Sequence, residues 1–216
     1  MVGCTLCSPQ PSNTHNDPIF RRVLWVALIV NFAMFFVEII ASYFGDSVSL
    51  QADALDFFGD GANYAISLFV LGMALHVRAR ASLFKGMTMA AFGLWVLGNA
   101  GYRAYMGSAP EPSIMGTIAL LALIANVSVA LMLYRYRAGD SNMRSIWLCS
   151  RNDAIGNIAV MIAAFGVLGT GSRWPDLIVA VVIALLSLTA AYQVIRLAIG
   201  EMHLNPKADT IESSPK

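Results

Sequence analysis

Three aspartates stand inside one apolar stretch of the chain: Asp53, Asp56 and Asp60. Their separations of three and four residues place them on one face of a helix. A carboxylate in the middle of a bilayer costs several kcal/mol, so each one needs a reason to be there. Like charges on one stripe repel unless a cation, a proton or a basic partner lies among them. Cation binding is the chemistry such a stripe can do. For Asp53, near the outer end of the stretch, hydration or helix capping is an equal reading; for Asp56 and Asp60 a ligand role is the stronger one.

A second polar group interrupts a later apolar run: Arg151, Asn152 and Asp153, with Asn157 one turn on. Cys149 precedes Asp153 by four residues and so shares its face. Taken by itself, this group reads as an Arg151–Asp153 charge pair beside a small buried thiol. Set against Asp56 and Asp60 it becomes half of a metal site. Asp56, Asp60, Cys149 and Asp153 together form a four-donor oxygen and sulfur set, which suits tetrahedral Zn²⁺ or a similar transition ion. Mg²⁺ prefers a partly hydrated octahedron of oxygens.

Other polar residues carry weaker signals. Glu38, with Asn31, is read equally as a proton carrier or a helix-packing residue. Asn126 reads as an interhelical hydrogen-bonding residue. Asp176 follows Pro175 at a helix start, where a carboxylate favours the N-terminus through capping and the dipole. Cys4 and Cys7, with His15, form either a loose metal-capture tail or an incidental set in a polar segment.

These residues need elements to hold them, and composition says which. Of 216 residues, 57% are hydrophobic and 12% charged. Soluble domains carry about a quarter charged residues, so lipid is the main solvent here. The net charge of +1 and the lack of a basic stripe exclude nucleic acid as a partner. Apolar runs long enough to cross hydrocarbon place spans at about Val23–Phe44, Leu50–Leu75, Ser82–Met106, Ile114–Tyr134, Ile146–Leu168 and Pro175–Ile199. The expected fold is an all-α polytopic membrane protein with six transmembrane helices, residues 21–201, joined by short connections. A flexible tail over 1–20 precedes them and a short disordered tail over 202–216 follows.

Lys and Arg set the orientation. One set of connections carries Arg21, Arg22, Arg78, Arg80, Lys85, Arg135, Arg137, Arg144, Arg196, Lys207 and Lys216; the other carries only Arg103 and Arg173. Both termini are therefore expected in the cytoplasm. The three cysteines do not support a disulfide framework.

The stretch from Gly45 to Asp60, with Ser47-Val48-Ser49-Leu50-Gln51-Ala52-Asp53-Ala54-Leu55-Asp56 at its centre, resembles the second helix of the cation diffusion facilitator family. There the pattern is Ser-x-Ser-Leu-x-Ala-Asp-Ala-x-(His or Asp)-x-x-x-Asp. Cys149, Asp153 and Asn157 fall on the fifth-helix pattern His-x-x-x-Asp-x-x-x-(Asn or Ser), and Trp174-Pro175-Asp176-Leu177-Ile178 is similar to the start of the sixth. The resemblance covers about Asn31 to Glu201. It implies a homodimeric exporter in a bacterial cytoplasmic membrane, exchanging a cytoplasmic divalent cation for protons. No prosthetic group is expected, and Zn²⁺ is the first choice of transported ion, with Cd²⁺, Co²⁺ and Fe²⁺ behind it. It carries Asp56, Asp60 and Asp153 over as metal ligands. Cys149 departs from the family's His, and the chain reads as a short form without the cytoplasmic metal-binding domain many members carry.

Carboxylates must lose their protons to ligate, so metal and protons compete for the same atoms. That competition is the expected basis of antiport. Two other classes compete with this reading. An intramembrane aspartyl protease would use two aspartates on different helices, but Gly59-Asp60-Gly61 lacks the preceding glycine, with Phe57 and Phe58 in its place. A passive channel would favour a ring of symmetry-related ligands over one compact site.

Overall fold

A computed structural model describes residues 18–70, 75–107, 109–135 and 141–203. All regular structure among them is helical: α1 Pro18–Phe44, α2 Val48–Ala65 with a π-helical turn Ile66–Val70, α3 Leu75–Met106, α4 Pro112–Tyr134, α5 Ser141–Thr170 and α6 Trp174–His203. The helical region thus begins and ends slightly beyond the expected limits of 21 and 201. The second element starts two residues before Leu50 and widens into a π-turn over Ile66–Val70, and Leu75 already belongs to α3. α3 begins seven residues before Ser82, because its basic first turns are helical rather than a connection.

Among the described residues, five helices are long and apolar enough to cross a membrane by length and composition, with mean hydropathy between 1.3 and 2.4. α2 is not one of them, and its surroundings explain why. It packs against α1, α3, α5 and α6, and nearly every residue from Val48 to Tyr64 is buried. A helix enclosed by other helices can carry carboxylates, glycines and an amide that a lipid-facing helix could not. The outer helices show the reverse pattern. Ile29 is 63% exposed, Phe165 69% and Leu168 67%, an apolar exterior that water would not tolerate and lipid requires.

Close approach between α3 and α6 depends on two glycines seven residues apart on one face of α3. A Cβ on Gly86 would lie 2.7 Å from Ile195, and one on Gly93 would lie 3.0 Å from Leu188. Small residues at such contacts let membrane helices approach backbone to backbone.

The α1–α2, α3–α4 and α5–α6 connections meet at one end of the bundle. Arg103 pairs with Asp46, Glu111 N donates to Gly45 O at 2.8 Å, and Arg173 donates to the carbonyls of Gly107 and Ala104. The α1–α2 turn holds Asp46 at φ 54°, a left-handed conformation to which Asp adapts better than most residues. Ser47 then caps α2, its side chain accepting from Leu50 N.

Asp176 belongs to this rim. It stands in the first turn of α6, where the sequence placed it, and its carboxylate also reaches another helix. Its Oδ1 accepts from Ser47 Oγ at 2.6 Å, Ser49 Oγ at 2.6 Å and Ser49 N at 3.1 Å, and its Oδ2 accepts from Val48 N at 2.9 Å. The carboxylate from α6 therefore caps the N-terminus of α2 from across the bundle.

Candidate metal centre

α2 directs Asp56 and Asp60 into a cavity between α2, α3, α5 and α6. Asp56, Asp60, Asn63, Lys85, Asn152 and Asp153 are the polar and charged residues of its wall, together with Ser187. The rest of the wall is apolar, including Met89, Ile183 and Leu186. Two elements 93 residues apart in sequence thus bring Asp60 and Asp153 to one space, as the motif spacing requires.

Each carboxylate has a partner that fixes it. Ser187 on α6 donates to Asp56 Oδ1 at 2.6 Å. Tyr64, one turn after Asp60, donates to Asp60 Oδ2 at 3.3 Å and shares a 2.9 Å hydrogen bond with Ser150 on α5. The carboxyls of Asp60 and Asp153 lie within hydrogen-bonding reach of each other, which two ionised carboxylates do only with a proton or a cation between them. Such outer hydroxyl partners orient ligands and tune their hold on an ion. Arg151 is turned to Asn152 Oδ1 at 3.2 Å.

Among the described residues no three carboxylates, thiols or imidazoles are already gathered tightly enough to hold an ion. Asp60 and Asp153 are together and Asp56 is turned to Ser187. The side chain of Cys149 lies outside the described residues, as do Cys4, Cys7 and His15.

Asp53 and Glu38 form a second acidic pair. Both are buried, and their carboxyls lie side by side between α1 and α2. Neither oxygen of Glu38 nor Oδ2 of Asp53 meets a donor among the described residues. Asp53 is 1% exposed and lies in the second turn of α2, and two facing carboxyls bond only through a shared proton or cation. Asn157 is fully buried one turn after Asp153, with both amide atoms lacking a hydrogen-bond partner among the described residues.

Sequence reading missed Ser187, Tyr64, Ser150 and Lys85. Lys85 was expected in a cytoplasmic connection. It lies instead in the third turn of α3, 7% exposed, and donates to Asn63 Oδ1 on α2. A lysine only three residues into an expected span was the available signal.

Residues 24–202 match the cation efflux transmembrane domain. The chain belongs to this cation efflux family. The family is one of transporters and not of enzymes, which removes the protease alternative, and its members are integral membrane proteins. The cadmium, cobalt and zinc/H(+)-K(+) antiporter of Bacillus subtilis is 22% identical over 200 residues, covering 84% of this chain and 63% of the relative. The metal cation efflux system protein CzcD of Cupriavidus metallidurans is 24% identical, covering 76% of this chain and 56% of its own length. The zinc transporter ZitB of Escherichia coli is 23% identical, covering 90% and 66%. The chain therefore spans roughly three-fifths of the cation efflux proteins it matches.

Proposed function

We propose that the protein moves a divalent transition-metal cation out of the cytoplasm in exchange for protons, with Zn²⁺ as the first candidate and Cd²⁺ and Co²⁺ close behind. The observation that carries this reading is the convergence of Asp56, Asp60 and Asp153 on one cavity inside the bundle. The printed names of the relatives, which include zinc, cadmium and cobalt transport and proton antiport, support the choice of ions and of counter-ion. In this reading α2 also spans the membrane and brings the spans to six, both termini face the cytoplasm of a bacterial cell, and two copies form a homodimer in its cytoplasmic membrane.

Asp56, Asp60 and Asp153 hold the ion, with the Cys149 thiol as fourth donor. A cation drawn into the cavity takes the place of whatever lies between Asp60 and Asp153 and pulls Asp56 from Ser187. Since ligands must be deprotonated, protons arriving from the opposite side displace the ion. Glu38 and Asp53 form an acidic step beside this site, suited to passing protons. Helices rocking about a central site would alternate its access.

The test is flux. In proteoliposomes, Zn²⁺ or Cd²⁺ uptake is expected to rise with an opposing proton gradient and to move protons the other way. Uptake indifferent to that gradient would overturn antiport in favour of a channel. Ser187→Ala removes the hydroxyl that holds Asp56, and it is expected to raise the KM for Zn²⁺ roughly tenfold, in the range for outer partners of metal ligands. An unchanged KM would show that Ser187 has no part in the site.

A further inference from the structure

Of the described residues lining the cavity, four carry charge: Asp56, Asp60, Asp153 and Lys85. Three are assigned above as ligands. The fourth is a buried cation, and a buried charge without compensation costs several kcal/mol. Asn63 supplies an acceptor for its ammonium, but an amide brings no charge. The carboxylates of the same cavity wall do bring charge. Asp60 lies one turn before Asn63 on α2 and within the field of Lys85.

The charges of the cavity then have a simple consequence. Three carboxylates face one ammonium across the described wall, and Cys149, which must lose its proton to ligate, would add a further negative charge. A net charge in a low-dielectric space is costly, and Lys85 makes the site one charge less negative than its ligands alone would. A site with an uncompensated negative charge holds a divalent ion more deeply. Transport needs a hold firm enough for entry and weak enough for exit.

We propose that Lys85 is the fixed counter-cation of the transport site, lowering the site's negative charge by one and loosening its hold so that the ion leaves. The inference rests on the transport reading of the same cavity. Lys85 does not ligate the ion; it acts on it through the charge it adds beside Asp60. Its position on α3, outside the two helices that carry the ligands, lets it do so without occupying a coordination position.

The experiment uses the full chain in detergent and in proteoliposomes, with Zn²⁺ as the probe. Lys85→Gln is expected to bind Zn²⁺ roughly tenfold more tightly and to turn over roughly tenfold more slowly, as when a charge repulsion worth about 1.4 kcal/mol is removed. KM and kcat therefore fall together, and kcat/KM moves much less. Lys85→Arg is expected to bring both back towards wild type, because it restores the charge. A merely structural lysine would not give this split. Weaker Zn²⁺ binding in Lys85→Gln, or unchanged binding and turnover, overturns the proposal. If Lys85→Gln does not purify as a monodisperse protein, Lys85→Met is read in its place. Failure of both to fold, with Lys85→Arg intact, assigns the residue to structure and also overturns it. Asp60→Asn separates the two levels. If it binds Zn²⁺ as wild type does, the site reading falls and takes this inference with it. If it loses binding while Lys85→Gln behaves as wild type, only the role of Lys85 falls.

Discussion

Asp60→Asn is expected to lower Zn²⁺ flux by at least about a hundredfold while leaving the protein as stable as before or more so. The size of the loss follows from what Asp60 joins. It lies against Asp153 on α5, accepts from Tyr64 and sits in the field of Lys85, so it is the residue through which the α2 and α5 halves of the site meet. Removing an outer partner of a metal ligand costs about 10- to 100-fold, and removing the charged ligand itself costs more. The stability half is the sharper part. Asn has the volume of Asp, so the packing of α2 survives, and its carbonyl can still accept from Tyr64. A crowd of buried carboxylates also loses one source of repulsion, and Asp56 and Asp153 remain on the wall of the cavity to compensate Lys85. Asp153→Asn should behave in the same way, and the double variant should be little worse than either, because residues acting as a unit are not additive. Zn²⁺ flux and thermal unfolding in detergent measure both quantities on one preparation. Flux above about a tenth of wild type in either single variant would remove the residue from the site.

Much of this arrangement was legible because charge in an apolar run is rare and spacing fixes the face. Asp56 and Asp60 on one stripe, and Asp153 on a second helix, could be placed in one site before any coordinates. The helical character of the chain was equally plain from its apolar runs. Other features were hidden for physical reasons. The start of α3 was missed because Arg78 and Arg80 read as a connection, whereas a helix does not stop where hydrocarbon stops. Lys85 was counted with them, since a cation near a span end ordinarily reaches for the interface; only Asn63 and Asp60 on another helix reveal that it points inward. Ser187 and Tyr64 gave no signal, because a lone hydroxyl in an apolar helix usually bonds its own backbone. Conversely α2, the helix with the strongest motif, fails a simple hydropathy criterion. Its polarity is tolerated because other helices, not lipid, surround it.

Asp176 shows the same limit and gives the largest expected effect on stability. Its position after Pro175 suggested a local cap, but both of its oxygens are committed to the first turn of α2, 127 to 129 residues away in sequence. The first N–H groups of any helix lack partners within it. In a membrane protein they cannot simply turn to water when buried, and each unsatisfied group costs energy. Asp176→Ala strips partners from Val48 N, Ser49 N and two hydroxyls at once. Each buried donor left unmet costs about 1–3 kcal/mol, so a loss of roughly 3–5 kcal/mol is expected after Ser47 and Ser49 re-pair with each other. For a chain of this size that lowers the thermal midpoint by on the order of 10 °C. Asp176→Asn should be only partly better. An amide can keep its oxygen at the Oδ1 position, facing Ser47 and Ser49, but its NH₂ then confronts the N–H of Val48, donor against donor. Function should follow stability in this case, because α2 carries Asp56 and Asp60 and its entry into the bundle is fixed by this one carboxylate. The expected signature is thus opposite to that of Asp60→Asn: a lowered midpoint, with residual flux at low temperature. Wild-type stability in Asp176→Ala would show that the carboxylate is dispensable to α2.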